Sequence, residues 1–191
     1  MMKLLADGVV LMASTMSKYP DGTAARIIEV ALAEIGTIET GENVTKYGAF
    51  TKADGLPWCG SFVNWCYDQA GIKIPSMVST AGGAHSMKER GRWIEDEPAL
   101  GDLCFMDFPH DGIDRISHIG IVVKVGKVSV LTIEGNTSGE GDQRNGGMVM
   151  LKRRYIGKEI VGFARPRLVT YTGEYPVVDP LPTVKPKKVK K

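Results

Sequence analysis

The chain has 191 residues, 43% of them hydrophobic, enough for one sizeable buried core. Twenty-four Lys and Arg against 22 Asp and Glu leave a formal charge of +2, which excludes the strong basic field of a dedicated nucleic-acid binder. No stretch approaches the roughly 20 apolar residues that a membrane span needs. The three cysteines, Cys59, Cys66 and Cys104, are odd in number and irregular in spacing, which argues against a disulfide framework.

The opening Met1-Met2-Lys3-Leu4-Leu5 begins like a secretory signal, but Asp7 and Gly8 break its apolar run, and residues 1–22 read as a helical extension. From Ala24 to Ile35 the apolar residues Ala24, Ile27, Ile28, Ala31, Leu32 and Ile35 fall at the spacing of a helix burying one stripe, stopped by Gly36. Glu39 to Asp54 is polar and reads as an extended loop, a candidate wall of the site because it runs up to Cys59. Trp58 to Ala70 predicts a second helix, with Pro57 at its start and Gly71 past its end. Residues 75–98 read as loop with one short helix over Thr80 to Gly91.

After Gly101-Asp102 the pattern turns strand-like, in Leu103 to Phe108, Ile116 to Val125, Val128 to Ile133, Met148 to Tyr155 and Ile160 to Arg165. Helices first and antiparallel strands after predict an α+β domain, placed at residues 23–170. From Tyr175 onward, prolines and lysines with almost no large apolar residues predict a segment that does not pack, so 171–191 is read as a tail or linker.

Cysteine attacks as the thiolate, a form favoured at a helix N-terminus or beside a histidine, and Cys59 stands at the start of the second predicted helix. Cys66, about two turns or roughly 10 Å further on, belongs to the buried stripe and is too far for an unstrained disulfide with Cys59. Cys104, between Leu103 and Phe105, reads as core. His118 opens an apolar run that turns near Gly126 and returns toward Glu134. A hairpin centred on Gly126 puts His118 opposite Glu134, where a carboxylate would hold the imidazole tautomer, with Asn136 on the same face. Sulfur, imidazole and acid are the parts of thiol-based acyl transfer. His85, in a Gly-rich loop, and His110, in a Pro-His-Asp-Gly turn, have no such partner. A zinc site would need paired Cys-x-x-Cys spacing, which is missing, so no metal and no cofactor is expected.

The same residues resemble the CHAP family of cysteine- and histidine-dependent amidohydrolases and peptidases, most closely its bacteriophage endolysin version. The resemblance rests on Asn43-Val44-Thr45-Lys46-Tyr47-Gly48, Pro57-Trp58-Cys59-Gly60-Ser61-Phe62-Val63-Asn64-Trp65-Cys66, Gly101-Asp102-Leu103, Ser117-His118-Ile119-Gly120-Ile121-Val122, Ile133-Glu134-Gly135-Asn136-Thr137 and Gly162-Phe163-Ala164-Arg165-Pro166. It implies a papain-like α+β fold, with N-terminal helices packed on an antiparallel sheet, and hydrolysis of peptidoglycan amide bonds as N-acetylmuramoyl-L-alanine amidase or endopeptidase. It also implies Cys59 as nucleophile, His118 as base and Glu134 as orienting acid, with Asn136 beside it; Tyr47, Trp58 and Trp65 are the candidates for substrate contact. Gly60 stands where the family more often has alanine. A catalytically inactive wall-binding module with the same fold is the alternative. The resemblance further implies a monomer made in the host cytoplasm without a signal peptide, acting on the wall after release, with the lysines of 185–191 a candidate contact for anionic wall polymers.

Overall fold

The computed structural model describes residues 17–108 and 115–178. Four helices precede six strands: α1 (Ala24–Ala33), α2 (Lys46–Thr51), α3 (Cys59–Gln69), α4 (Thr80–Glu89), β1 (Trp93–Ile94), β2 (Leu103–Met106), β3 (His118–Val125), β4 (Ser129–Thr137), β5 (Met148–Tyr155) and β6 (Ile160–Ala164). Thr23, Thr45 and Ser79 start α1, α2 and α4 by accepting a hydrogen bond from the N–H of Arg26, Gly48 and Gly82. Helix α3 begins at Trp58 with no side-chain cap.

The strands form one antiparallel sheet in the order β1-β6-β2-β3-β4-β5. Its inner face, with Leu103, Phe105, Ile121 and Ile133, buries against Phe62, Val63, Cys66 and Tyr67 of α3, which packs on β3 and β4 and is flanked by α1 and α2. The outer face carries a smaller cluster of Cys104, Met106, Val122, Val130 and Phe163, partly covered by Phe108. This is the α+β layout expected from the sequence, helices first and an antiparallel sheet behind them.

Three local expectations are corrected. The segment from Glu39 to Asp54 is not all extended: the short helix α2 lies within it, held by its Thr45 cap and by burial of Tyr47 between Trp58 and Phe62. Strand β1 is only two residues long, below what alternation reveals. Residues 175–178 do pack, because Tyr175 and Val178 rest on the main core and Tyr171 meets both Tyr19 and Tyr175 edge-on. Of the 1–22 extension, residues 17–22 run as bends and a turn into α1, while 1–16 lie outside the described residues, as do His110 and the lysine-rich 179–191.

The β3–β4 hairpin has a different register from the one centred on Gly126. Ile121 opposes Ile133 and Val122 opposes Thr132, with an irregularity between Val122 and Lys124 that shifts the pairing toward the turn. Continuing that register places Gly120, not His118, across from Glu134, and a side chain on Gly120 would come within 2.7 Å of the Glu134 Cγ. A slip of two residues keeps the same sheet face. His118 and Glu134 therefore still meet, but diagonally.

Candidate active site

Cys59 is the first residue of α3, whose N-cap residue Trp58 supplies no side-chain hydrogen bond to the helix start. His118 opens β3 and is fully buried; its Nε2 lies 3.0 Å from Glu134 Oε2. Nδ1 is buried with no fully formed hydrogen bond, so it is the nitrogen left for Cys59, which lies against the ring as a hydrogen-bonding and charge partner. Burial alone would push the imidazole pKa down, but Cys59 and then Glu134 outweigh it and raise the value from 6.5 to about 9.

Glu134 is fully buried and held by more than the imidazole. Arg154 donates to both of its oxygens, Nε to Oε1 at 2.8 Å and a terminal nitrogen to Oε2 at 2.5 Å, and the Thr132 hydroxyl donates to Oε1 at 2.5 Å. Burial opposes its ionisation, yet Arg154 and His118 bring its pKa from 4.5 down to about 2. Arg154 also stacks its guanidinium 4.9 Å from the Phe108 ring centre, and Phe108 lies 5.5 Å from the imidazole. The sequence reading missed Arg154. The signal was the alternation of β5, where Met150, Lys152 and Arg154 oppose Glu134, Thr132 and Val130 and share their face.

The hydrogen bonds of the Asn136 amide go to partners other than the imidazole. The β4–β5 register shifts between Glu134 and Thr137, and Asn136 has a left-handed backbone with φ of 56°. Its amide donates to Asn43 Oδ1 at 3.1 Å and Asn145 Oδ1 at 2.9 Å and accepts from the Gly147 N–H at 3.0 Å. Asn136 thus ties the 43 and 145–147 loops to the end of β4. The simple alternation that put it beside Glu134 stops at this irregularity.

Of the substrate-contact candidates, Tyr47 and Trp58 are corrected to core: both are 0% exposed and stack on each other at 5.4 Å. Tyr47 hydrogen-bonds the Glu34 carboxylate, and Trp58 Nε1 donates to Glu39 Oε2 at 2.8 Å. Trp65 is partly buried against Tyr47, with the Lys46 ammonium 4.4 Å from its ring centre.

Cys59 lines a cleft of about 230 Å³ walled by Leu56, Pro57 and Val78 on its apolar side. That wall stands close for a definite reason. Asn64 of α3 donates to the Pro75 carbonyl at 2.9 Å and accepts from the Met77 N–H at 2.7 Å, and a methyl on Gly60 would come 1.8 Å from the Met77 carbonyl oxygen. Glycine at position 60 is what lets this segment lie on the first turn of α3. Among the described residues, no group of three or more His, Cys, Asp or Glu side chains forms a metal site.

Residues 51–136 match the CHAP domain. The CHAP segment contains Cys59, His118, Glu134 and Asn136, while Arg154 lies beyond it. No curated protein matches the chain. Similar solved structures include an NlpC/P60 family protein from Bacillus cereus ATCC 10987, with 18% identity and a TM-score of 0.46 over 78% of this chain and 41% of that one. NlpC1 from Trichomonas vaginalis is similar at 16% identity and a TM-score of 0.47, over 75% of this chain and 44% of that one. Ly7917 is similar at 14% identity and a TM-score of 0.48, over 76% of this chain and 63% of that one. The chain thus spans less than two thirds of the length of each. Among the described residues, no helix is long and apolar enough to cross a membrane.

Proposed function

We propose that the protein hydrolyses amide bonds in the peptide part of bacterial cell walls, with Cys59 as nucleophile, His118 as acid and base, and Glu134 as the group that orients the imidazole. The reading is carried by one arrangement: a cysteine lining a cleft lies against a buried imidazole, which is held from behind by a buried carboxylate. A pure binding module has no use for a carboxylate buried at that cost behind a histidine.

With its pKa near 9, His118 carries a proton at neutral pH beside Cys59. That sulfur attacks the scissile carbonyl carbon, and the charge that develops on oxygen is met by N–H groups at the uncapped start of α3. The C–N bond breaks as the imidazolium gives its proton to the departing amine, leaving a thioester. Water then adds to the thioester while His118 takes its proton, releasing the carboxylic acid and restoring Cys59. Glu134, fixed by Arg154 and Thr132, holds the ring so that Nδ1 faces the sulfur throughout. The setting we propose is that of a bacteriophage endolysin, on the strength of the sequence motifs.

Purified walls incubated with the wild type should release new amino groups, and mass spectrometry of the fragments should identify the severed bond. Cys59→Ala should lose this release. No release from any wall type, or equal release by Cys59→Ala, would remove the proposal.

A further inference from the structure

A second cleft, apart from the one beside Cys59, gathers positive charge. Arg90 at the end of α4, Arg92 just before β1 and Arg167 after β6 line it together with Lys73, over a floor of buried Met87 and Pro166. Its volume is about 240 Å³, and among the described residues no carboxylate lines it. Lys73 is paired with Asp68 at 2.5 Å, whereas Glu89, the acid next to Arg90, lies 3.3 Å from His85. Among the described residues, none of the three guanidinium groups has a hydrogen bond or an ion pair. Three stretches of chain therefore bring unneutralised charge to one place, in a protein whose formal charge is only +2. Like charges held together repel one another, and an anion entering between them relieves the repulsion.

The number of guanidinium groups points to the kind of anion. The two oxygens of a carboxylate lie in one plane, and a single guanidinium fork fills them. The oxygens of a phosphate are tetrahedral, so forks from several chain segments can meet it from different sides. We propose that this cleft binds a phosphodiester polymer of the bacterial wall, seating a phosphate among Arg90, Arg92 and Arg167. The phosphate chemistry comes from the cleft, and the wall as its source rests on the amide-hydrolase reading. The segment that lines this cleft at Pro75 continues to Val78 in the wall of the Cys59 cleft, so the two share one stretch of chain.

The test is titration calorimetry of the full-length protein with poly(glycerol phosphate), beside polyglutamate of matched charge and vesicles of phosphatidylglycerol. The phosphate polymer should bind most tightly, and its affinity should fall as salt rises, two readouts that need no variant to fold. Arg90→Gln, Arg92→Gln and Arg167→Gln combined should weaken that binding about 10- to 100-fold, at about 2- to 5-fold for each partly exposed contact, and flatten its salt dependence. Lys158→Gln, which removes a positive charge on the exposed turn after β5, should change neither. No binding of the phosphate polymer, equal or tighter binding of polyglutamate or vesicles, undiminished binding by the triple variant, or an equal loss in Lys158→Gln would each overturn the proposal. None of these measurements involves cleavage, so their failure leaves the amide-hydrolase reading standing, and release of amino groups from walls tests that reading separately.

Discussion

Cys59 and Cys66 lie on one face of one helix, two turns apart, in very different surroundings. Cys66 is sealed in the core between helices and sheet; burial first, and then the negative charge of Glu34, pushes its thiol pKa well above the usual value. Cys104 on the outer face is held protonated in the same way, by burial and then by Glu134. Cys59 is buried too but stands at the helix start, beside an imidazole and lining a cleft. Place along the helix and one histidine separate the proposed nucleophile from a packing residue.

Paired substitutions should show this contrast most strongly. Cys59→Ala is expected to lose about 10⁴-fold or more in kcat on walls. Cys66→Ala is expected to keep kcat within about twofold and to lose roughly 1–2 kcal/mol of stability in denaturant titrations, from the small cavity it leaves. Comparable activity losses in both would erase the distinction.

Glu134→Gln comes next, with a fall of about 10²- to 10⁴-fold expected in kcat/KM as the ring loses its orienting charge. The pH dependence gives the sign. The His118 proton needed by the leaving amine is lost as pH rises through about 9 in the wild type, so the alkaline limb of the kcat profile should lie there. Removing the Glu134 charge takes away one of the groups that raise this value, so the limb should move to lower pH. The stability contributed by the charged imidazole is fully present below its ordinary value of 6.5 and lost as pH rises through about 9. That from Glu134 is present above 4.5 and lost as pH falls through about 2. Thermal melts across the alkaline range should flatten in Glu134→Gln; melts and limb that match the wild type would remove Glu134 from the proposed role.

The smallest effect concerns the backbone under the nucleophile. Gly60→Ala is expected to cost about 1–3 kcal/mol by overpacking against the Met77 carbonyl, read as a lower Tm. An unchanged Tm would show that the segment can yield.

The parts of this site carried by short, regular patterns were legible in the sequence. Cys59 was placed at a helix start by a thirteen-residue stretch of helical spacing with Pro57 before it and Gly71 after it, and His118 and Glu134 by two alternating strands. Even the misjudged register did no harm to their pairing, because an even slip preserves the face. Irregular backbone was opaque: Asn136 leaves the alternation through a left-handed kink, and nothing local in the sequence marks it. Arg154 was hidden for another reason, since its partner lies on the neighbouring strand four residues away from direct opposition and only a long side chain spans that offset. Tyr47 and Trp58 looked like groove residues because aromatic identity does not say which way a ring points.

The absence of a side chain at Gly60 fixes how closely the Met77–Val78 backbone approaches the helix that begins at Cys59. The opposing wall is seated directly on helix backbone and pinned by Asn64, so the gap cannot widen by a rotamer change and can only be altered by moving main chain. Any change in the spacing between this segment and the first turn of α3 therefore has to come from the main chain itself.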